Sequence, residues 1–391
     1  MNTFLRIAVP AFALLPGLPA TAHARGDLTV QVQEADRKLL SVGDPAPAVA
    51  VGDWVVGKGF GRFEKGKAYV VEFGATWCPP CRASIPHLSE LQRKHEGKVA
   101  IASVHVWESR GGQEPRAEIL AKVADSYKPL DPPVAHAVAL DDQNQSMATS
   151  WLAAAGLNSI PQAFIVVADD TGPRIAWIGH PLTPQFDEMV QRAADGRIDL
   201  KEEMRRAAEE AARRERYERT MGLVQRVTGT GGAGDAPAAL AALDEALKDE
   251  SDPMYRSSYL RAKFNLLAQG DEPAAYAMAR GLLEGELKNS EADLAMFCDL
   301  VANNAALKTP DGALAVALGE RANALSGGKN ARTLHSLAGA YAVNGQFQKA
   351  IDTEQAAVEA YKAQLGEARA AVMVSMLKAR IDEWKKNLPN P

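Results

Sequence analysis

Trp77-Cys78-Pro79-Pro80-Cys81 constrains this chain more than any other stretch. An apolar run, Tyr69-Val70-Val71-Glu72-Phe73, precedes it, and an amphipathic segment from Arg82 to His95 follows, so the cysteines sit on a strand-to-helix turn. Two cysteines separated by two residues in that setting form a CXXC redox dithiol. Cys78 falls at the helix start, where unpaired backbone N–H groups and the positive end of the helix dipole favour a thiolate. Cys81 lies one turn further in, placed to attack a mixed disulfide formed at Cys78. The spacing predicts Cys78 as the nucleophile and the more exposed thiol, Cys81 as the resolving thiol, and a reversible Cys78–Cys81 disulfide.

The rest of the composition narrows what surrounds this turn. The chain has 391 residues, which points to at least two domains. Its net charge is −5, with Lys and Arg interleaved with acids, so no basic footprint for nucleic acid is present. Only three cysteines occur, which excludes a disulfide-stapled scaffold. The third, Cys298, lies on an apolar helical face and reads as a buried, inert thiol. At the start, Arg6, the apolar stretch from Ile7 to Leu18 and Ala22-His23-Ala24 predict a signal peptide over 1–24, cleaved after Ala24, and a periplasmic or secreted product. No later apolar run is long enough to span a bilayer, so the mature form is expected to carry no membrane span.

Along the chain, Trp54-Val55-Val56 reads as a short strand. Tyr69–Phe73 and Val99–Trp107 read as central parallel strands, joined through the Arg82–His95 helix as a βαβ unit. Further elements are expected as helices over Pro115–Ser126 and Gln143–Leu152, a strand at Ala137–Leu140, a hairpin from Ala163–Val167 and Arg174–Gly179, and a closing helix over Phe186–Ala194. From Lys201 to Arg219 the sequence is almost entirely Glu, Arg, Lys and Ala, a solvated helical spacer. Beyond the glycine-rich breaker Thr228–Gly234, every segment has helical period. Segments beginning at Ala238, Ala274, Ala313 and Ala350 recur at intervals in the thirties, each after a turn rich in Gly, Asp, Pro or Asn. That period suggests a helical solenoid, with an irregular helical bundle as the alternative. In the last unit Leu334, Leu337, Ala338, Tyr341, Gly345, Ala350 and Ala357 resemble a tetratricopeptide repeat.

From Val42 to Ala194 the chain resembles the TlpA/ResA-like branch of the thioredoxin superfamily, exported thiol–disulfide proteins. The resemblance rests on Val42-Gly43-Asp44-Pro45-Ala46-Pro47, on Phe73-Gly74-Ala75-Thr76-Trp77-Cys78-Pro79-Pro80-Cys81-Arg82-Ala83, on Pro86, and on Ser159-Ile160-Pro161-Gln162-Ala163-Phe164. It implies an α/β thioredoxin-like redox domain over 36–198, with a family lead-in strand, a kink proline at Pro86 and a cis-proline at Pro161 lying against the dithiol. The backbone of Ile160 would then be free to pair with an extended substrate, and Trp77 and Pro80 would form an apolar patch for partners. A charged helical linker over 199–235 and an all-α, TPR-like domain over 236–388 complete the organisation.

Glu72 is a lone acid inside an apolar strand, six residues before Cys78, where thioredoxins carry a buried aspartate. An unpaired carboxyl in low dielectric has a raised pKa and can exchange the Cys81 proton near neutral pH. The alternative is a Glu paired with a lysine such as Lys67. Other chemistries fit less well. Zinc needs about four N or S ligands, whereas His87, His95, His105, His136 and His180 are scattered. A copper carrier of a related fold would want three residues between its cysteines. A peroxidase would want a single cysteine shielded by a threonine and an arginine, and Thr76 and Arg82 stand beside a dithiol instead.

The expectation is therefore an exported protein thiol–disulfide oxidoreductase, in the direction of reduction that the resemblance implies. The dithiol is its own redox centre, with no metal and no other cofactor. Expected partners are protein thiols and disulfides, with apo-cytochrome or metal-site cysteines among the clients the resemblance suggests. An upstream electron donor, such as a membrane thiol–disulfide exchanger, and a protein bound by the helical domain complete the set. The competing reading is a helical scaffold whose redox domain is regulatory.

Overall fold

The computed structural model describes residues 38–109, 114–229 and 234–388. The leader expected over 1–24 lies outside them. The chain divides into two units, Met1–Glu203 and Met204–Pro391, each with its own internal packing.

The first unit is a six-stranded sheet with β1 (Asp53–Val56), β2 (Ala68–Gly74), β3 (Val99–His105), β4 (Ala137–Leu140), β5 (Gln162–Asp169) and β6 (Gly172–Gly179). Their spatial order is β1-β4-β3-β2-β5-β6. The β2–β3 and β3–β4 pairs are parallel, and β1, β5 and β6 add antiparallel partners at the two sides. Helices α1 (Pro79–Lys94), α2 (Arg116–Tyr127) and α3 (Pro184–Ala194) complete the unit. β2 is buried at every residue, as its near-continuous apolar run requires. Its alternation sends Ala68 and Val70 into one core with Leu88, Leu91, Phe186 and Val190 of α1 and α3. Tyr69, Val71 and Phe73 enter the opposite core with Trp151, Phe164 and Ile175. Glu72 therefore falls on the α1 side.

Two expectations change in detail. The helical stretch expected over Gln143–Leu152 starts only at Ser146, where Asp141 and Asp142 accept the backbone N–H groups of Asn144, Ser146, Met147 and Ala148, and it continues as a π-turn, Ala148–Leu152, and a 3-10 turn, Ala153–Ala155. The lead-in at Val42–Pro47 lies beside β6 but forms only an isolated bridge, Pro45 to Arg174. Gly43 and Ala46 donate to Ile175 and Pro173, and Pro45, with no N–H, interrupts the ladder.

α4 (Leu200–Thr228) carries the charged stretch. Tyr217, Met221, Val224 and Val227 near its end pack into a core of the second unit with Leu243, Tyr255 and Tyr259, so this part of the helix is more than a spacer. The second unit continues as α5 (Ala236–Asp249), α6 (Pro253–Gly270), α7 (Glu272–Glu284), α8 (Glu291–Asn303), α9 (Gly312–Leu325), α10 (Ala331–Val343), α11 (Phe347–Leu365) and α12 (Glu367–Lys385). The four recurring segments start α5, α7, α9 and α11. Three of those starts share one device, an aspartate whose side chain accepts the N–H of the third helical residue: Asp235 to Ala238, Asp271 to Ala274 and Asp311 to Leu314. Cys298 is fully buried in α8, burial pushes its thiol pKa up, and its Sγ lies 3.4 Å from the Ser336 carbonyl oxygen. Among the described residues no helix is long and apolar enough to cross a membrane.

Candidate active site

The redox turn is built by the end of β2 and the start of α1. Cys78 is the N-cap of α1, with extended backbone, and its Sγ lies 3.3 Å from the Cys81 N–H that donates to it. Pro79 at the first helical position has no N–H to leave unpaired and is pre-set for the helix. Cys78 and Cys81 are joined in a disulfide with their Cα atoms 5.3 Å apart. The expected difference in exposure does not appear, since Cys78 is 3% and Cys81 5% exposed. The helix terminus, not exposure, distinguishes them.

The four other residues expected at the surface of this site converge on it. Cys78 and Cys81 pack with Ala75, and the partly buried side chains of Trp77 and Ile160 close over them. The Ile160 carbonyl oxygen lies 3.9 Å from Cys78 Sγ, the Ile160–Pro161 bond is cis, and Pro80 is exposed beside the dithiol. Pro86 lies inside α1, as the resemblance implied.

Glu72 lies beneath. It is 2% exposed, and Ser84 of α1 donates to its Oε1 at 3.3 Å. Burial pushes its carboxyl up to about 7, with the hydroxyls of Ser103 and Ser84 offsetting the rise only in part. Lys67 is engaged elsewhere, 2.7 Å from Glu64, so the lysine alternative falls away. Gly74 marks where the acid and the resolving thiol meet: a methyl group there would stand 3.3 Å from Cys81 Cβ and 3.4 Å from Glu72 Oε1. A cavity of about 80 Å³ joins Glu72, Gly74, Cys81, Arg82, His105 and Tyr127, mostly apolar in its lining and roomy enough for water.

Sequence reading missed the far side of this cavity. His105, taken as one of five scattered histidines, stands opposite Gly74 in the β2–β3 register. Its Nε2 is 2.7 Å from the Tyr127 hydroxyl and its Nδ1 2.6 Å from Glu108 Oε1. Glu108 in turn accepts from Thr76 N and Thr76 Oγ1, each at 2.6 Å. The available signal was topological: parallel neighbours β2 and β3 bring their carboxyl ends to one edge, where sites in α/β sheets form. The other histidines have separate environments, His87 against Asp187 and His136 against Ser89.

Residues 62–114, covering β2, the dithiol turn, α1 and β3, match the thioredoxin family model. Residues 62–114 thus form a thioredoxin family-model domain. Among curated relatives, the chain is 27% identical over 159 residues to protein FixW of Rhizobium leguminosarum, covering 40% of this chain and 67% of that one. It is 34% identical over 64 residues to the thiol-disulfide oxidoreductase ResA of Bacillus thuringiensis, covering 16% and 37%. A solved thiol:disulfide interchange protein of the thioredoxin family from Chlorobium tepidum shares 26% identity, covering 41% of this chain and 99% of that one, with a TM-score of 0.27. Each of these alignments covers less than half of this chain. The relatives thus support a thiol–disulfide oxidoreductase, and the two cysteines of this chain stand at a helix N-cap, where a thiolate is favoured.

Proposed function

We propose that the chain is an exported thiol–disulfide oxidoreductase that reduces disulfides of client proteins through Cys78 and Cys81, with its helical unit binding or orienting the partner. The observation that carries this reading is a disulfide seated at a helix N-cap, rimmed by Trp77, Ile160 and Pro80, with a protonatable Glu72 behind it.

In the reduced form, the Cys78 thiolate attacks a client disulfide. One client sulfur leaves as thiolate, and a Cys78–client mixed disulfide forms. Cys81 gives its proton to Glu72 and attacks Cys78 Sγ, which breaks the mixed disulfide and expels the second client sulfur as thiolate. The client gains two electrons, and the protein ends in the disulfide form described above. Regeneration takes two electrons and two protons from an upstream dithiol, for which a membrane thiol–disulfide exchanger is the fitting class. Reduction is the preferred direction because an oxidising compartment already supplies disulfides and lacks thiol donors. The leader-like sequence pattern of Arg6, Ile7 to Leu18 and Ala22-His23-Ala24 supports export, and the repeated helix starts of the second unit support a TPR-like partner surface.

The test is mixed-disulfide trapping with the Cys81→Ala full-length chain, together with insulin reduction driven by a chemical dithiol. Covalent clients on Cys78 and turnover by the wild type are expected, and in the reduced wild type Cys78 is alkylated before Cys81. Equal labelling rates would remove the assignment of the nucleophile. Absence of both trapped clients and insulin turnover would favour the scaffold reading.

A further inference from the structure

The segment after β3 holds the redox turn by three hydrogen bonds. Two come from Thr76, through N and Oγ1, onto the two oxygens of Glu108. The third runs from Trp77 Nε1 to the Trp107 carbonyl oxygen at 2.9 Å. Thr76 and Trp77 are the residues that lead directly into Cys78. Trp107 itself has φ +52°, a left-handed conformation that a bulky side chain adopts only under constraint from its surroundings. That conformation turns the Trp107 carbonyl and the Glu108 side chain toward the same turn.

Glu108 is 5% exposed, and its surroundings select a carboxylate. Oε1 faces two donors, Thr76 N–H and His105 Nδ1, and Oε2 faces the Thr76 hydroxyl, with Lys122 of α2 at 3.7 Å. His105 is oriented from behind by the Tyr127 hydroxyl on its Nε2, so Nδ1 carries the proton given to Glu108. Burial would raise the Glu108 pKa, but the hydrogen bonds from His105 and Thr76 outweigh it and leave the carboxyl below its ordinary value. The anion is therefore permanent at neutral pH, and no step of the exchange above uses it.

We propose that Glu108 is a positioning residue for the dithiol: with Trp107 it clamps Thr76 and Trp77, and so fixes the turn from which Cys78 attacks. This deepens the functional reading above and rests on it for its kinetic consequence. Misplacing a reacting group by about 1 Å costs on the order of a hundredfold in rate. Loss of the clamp therefore acts on the first step, attack by Cys78, whereas Glu72 acts on the second.

The experiment uses the full-length chain and reads two quantities that a merely structural role would not move together. Thr76 amide hydrogen exchange reports the clamp, and mixed-disulfide formation with a small aromatic disulfide in the Cys81→Ala background reports the attack. Glu108→Ala is expected to speed Thr76 exchange and slow the attack by about ten- to a hundredfold. Glu108→Gln is expected to recover most of the rate, because its amide oxygen still accepts from Thr76 N and His105 while its NH2 donates to the Thr76 hydroxyl. A folded Glu108→Ala chain with wild-type Thr76 protection or a wild-type rate of attack overturns the proposal. If Glu108→Ala fails to fold, Thr76→Val, which removes one of the three bonds, must still slow the attack by about threefold, and an unchanged rate overturns it. A wild-type chain that attacks no disulfide overturns the functional reading and the kinetic claim with it, while Thr76 exchange still decides whether the clamp exists.

Discussion

Glu72 lines the small cavity beneath the dithiol and Glu108 lies behind it, bonded to the lining residues His105 and Thr76, and the chemistry of these two buried acids diverges. Glu72, on the α1 side of β2, receives the Ser84 hydroxyl at 3.3 Å with the Ser103 hydroxyl also lowering its pKa, has no cationic partner among the described residues, and is pushed up to about 7. Glu108, just past β3, receives an amide, a hydroxyl and an imidazole within 2.6 Å and is held below the ordinary carboxylate range. Both are little exposed, but Glu72 is the more deeply desolvated and Glu108 the better supplied with donors, and the two differences together separate their shifts. A carboxyl with few donors can carry a proton; one saturated by donors is a fixed anchor. Environments that push two neighbouring acids apart in this way separate proton transfer from positioning.

The largest expected break in the comparison is kinetic. Glu72→Gln should leave formation of the Cys78 mixed disulfide near its wild-type rate and slow its resolution by Cys81 about a hundredfold or more. The inflection of the resolution rate near pH 7 should vanish with it. Rapid-quench measurement of mixed-disulfide decay from about pH 5.5 to 8.5 reads both, and a decay rate equal to wild type would return Glu72 to a structural role. Glu108→Gln, by contrast, should retain that inflection.

A second difference is thermodynamic. The native state holds a proton on Glu72 that the unfolded chain releases near its ordinary value of 4.5. That contribution to stability is fully present below about pH 4.5 and is lost as pH rises through about 7, roughly 3 kcal/mol across the window. Glu72→Gln, which cannot ionise, should show a shallower fall in unfolding free energy between about pH 5 and 8 in urea titrations. An identical slope in variant and wild type would mean that Glu72 does not bind this proton. Glu108 has the opposite sign. Its depressed pKa stabilises the fold above the unfolded carboxylate value, and that contribution is lost as pH falls through the folded value, so Glu108→Gln should flatten the acid limb.

The smallest effect concerns the support behind Glu108. Tyr127→Phe removes the hydroxyl on His105 Nε2 and should cost about 1 kcal/mol in stability. Glu72 chemistry should be unaffected, so the pH dependence of resolution should keep its midpoint. A midpoint that moves in Tyr127→Phe would show that the two acids share a proton path across the cavity, which would dissolve the separation drawn here.

Much of this site was legible without coordinates. The dithiol, the helix start at Cys78, the buried strand through Glu72 and the Ile160-Pro161 segment all lie in local patterns: a spacing, a period of two along a strand, a cap and a proline. The expectation that Cys78 is the more exposed thiol failed because exposure depends on Trp77 and Ile160 folding over both cysteines. The helix expected from Gln143 starts later, at Ser146, because Asp141 and Asp142 cap the N–H groups that its first turn leaves unpaired.

Local sequence by itself determined that this chain places a CXXC pair at a helix N-cap above a lone acid, and that its last half is helical with recurring starts. These properties follow from residues within one turn or one strand of each other, where backbone geometry is set by near neighbours. Only the tertiary structure decided that Glu72 has no cation beside it among the described residues, that His105 is not a stray histidine, and that Glu108 holds Thr76 from 32 residues away. Such contacts depend on which strand ends lie side by side. The β2–β3 register, Gly74 opposite His105, brings them together.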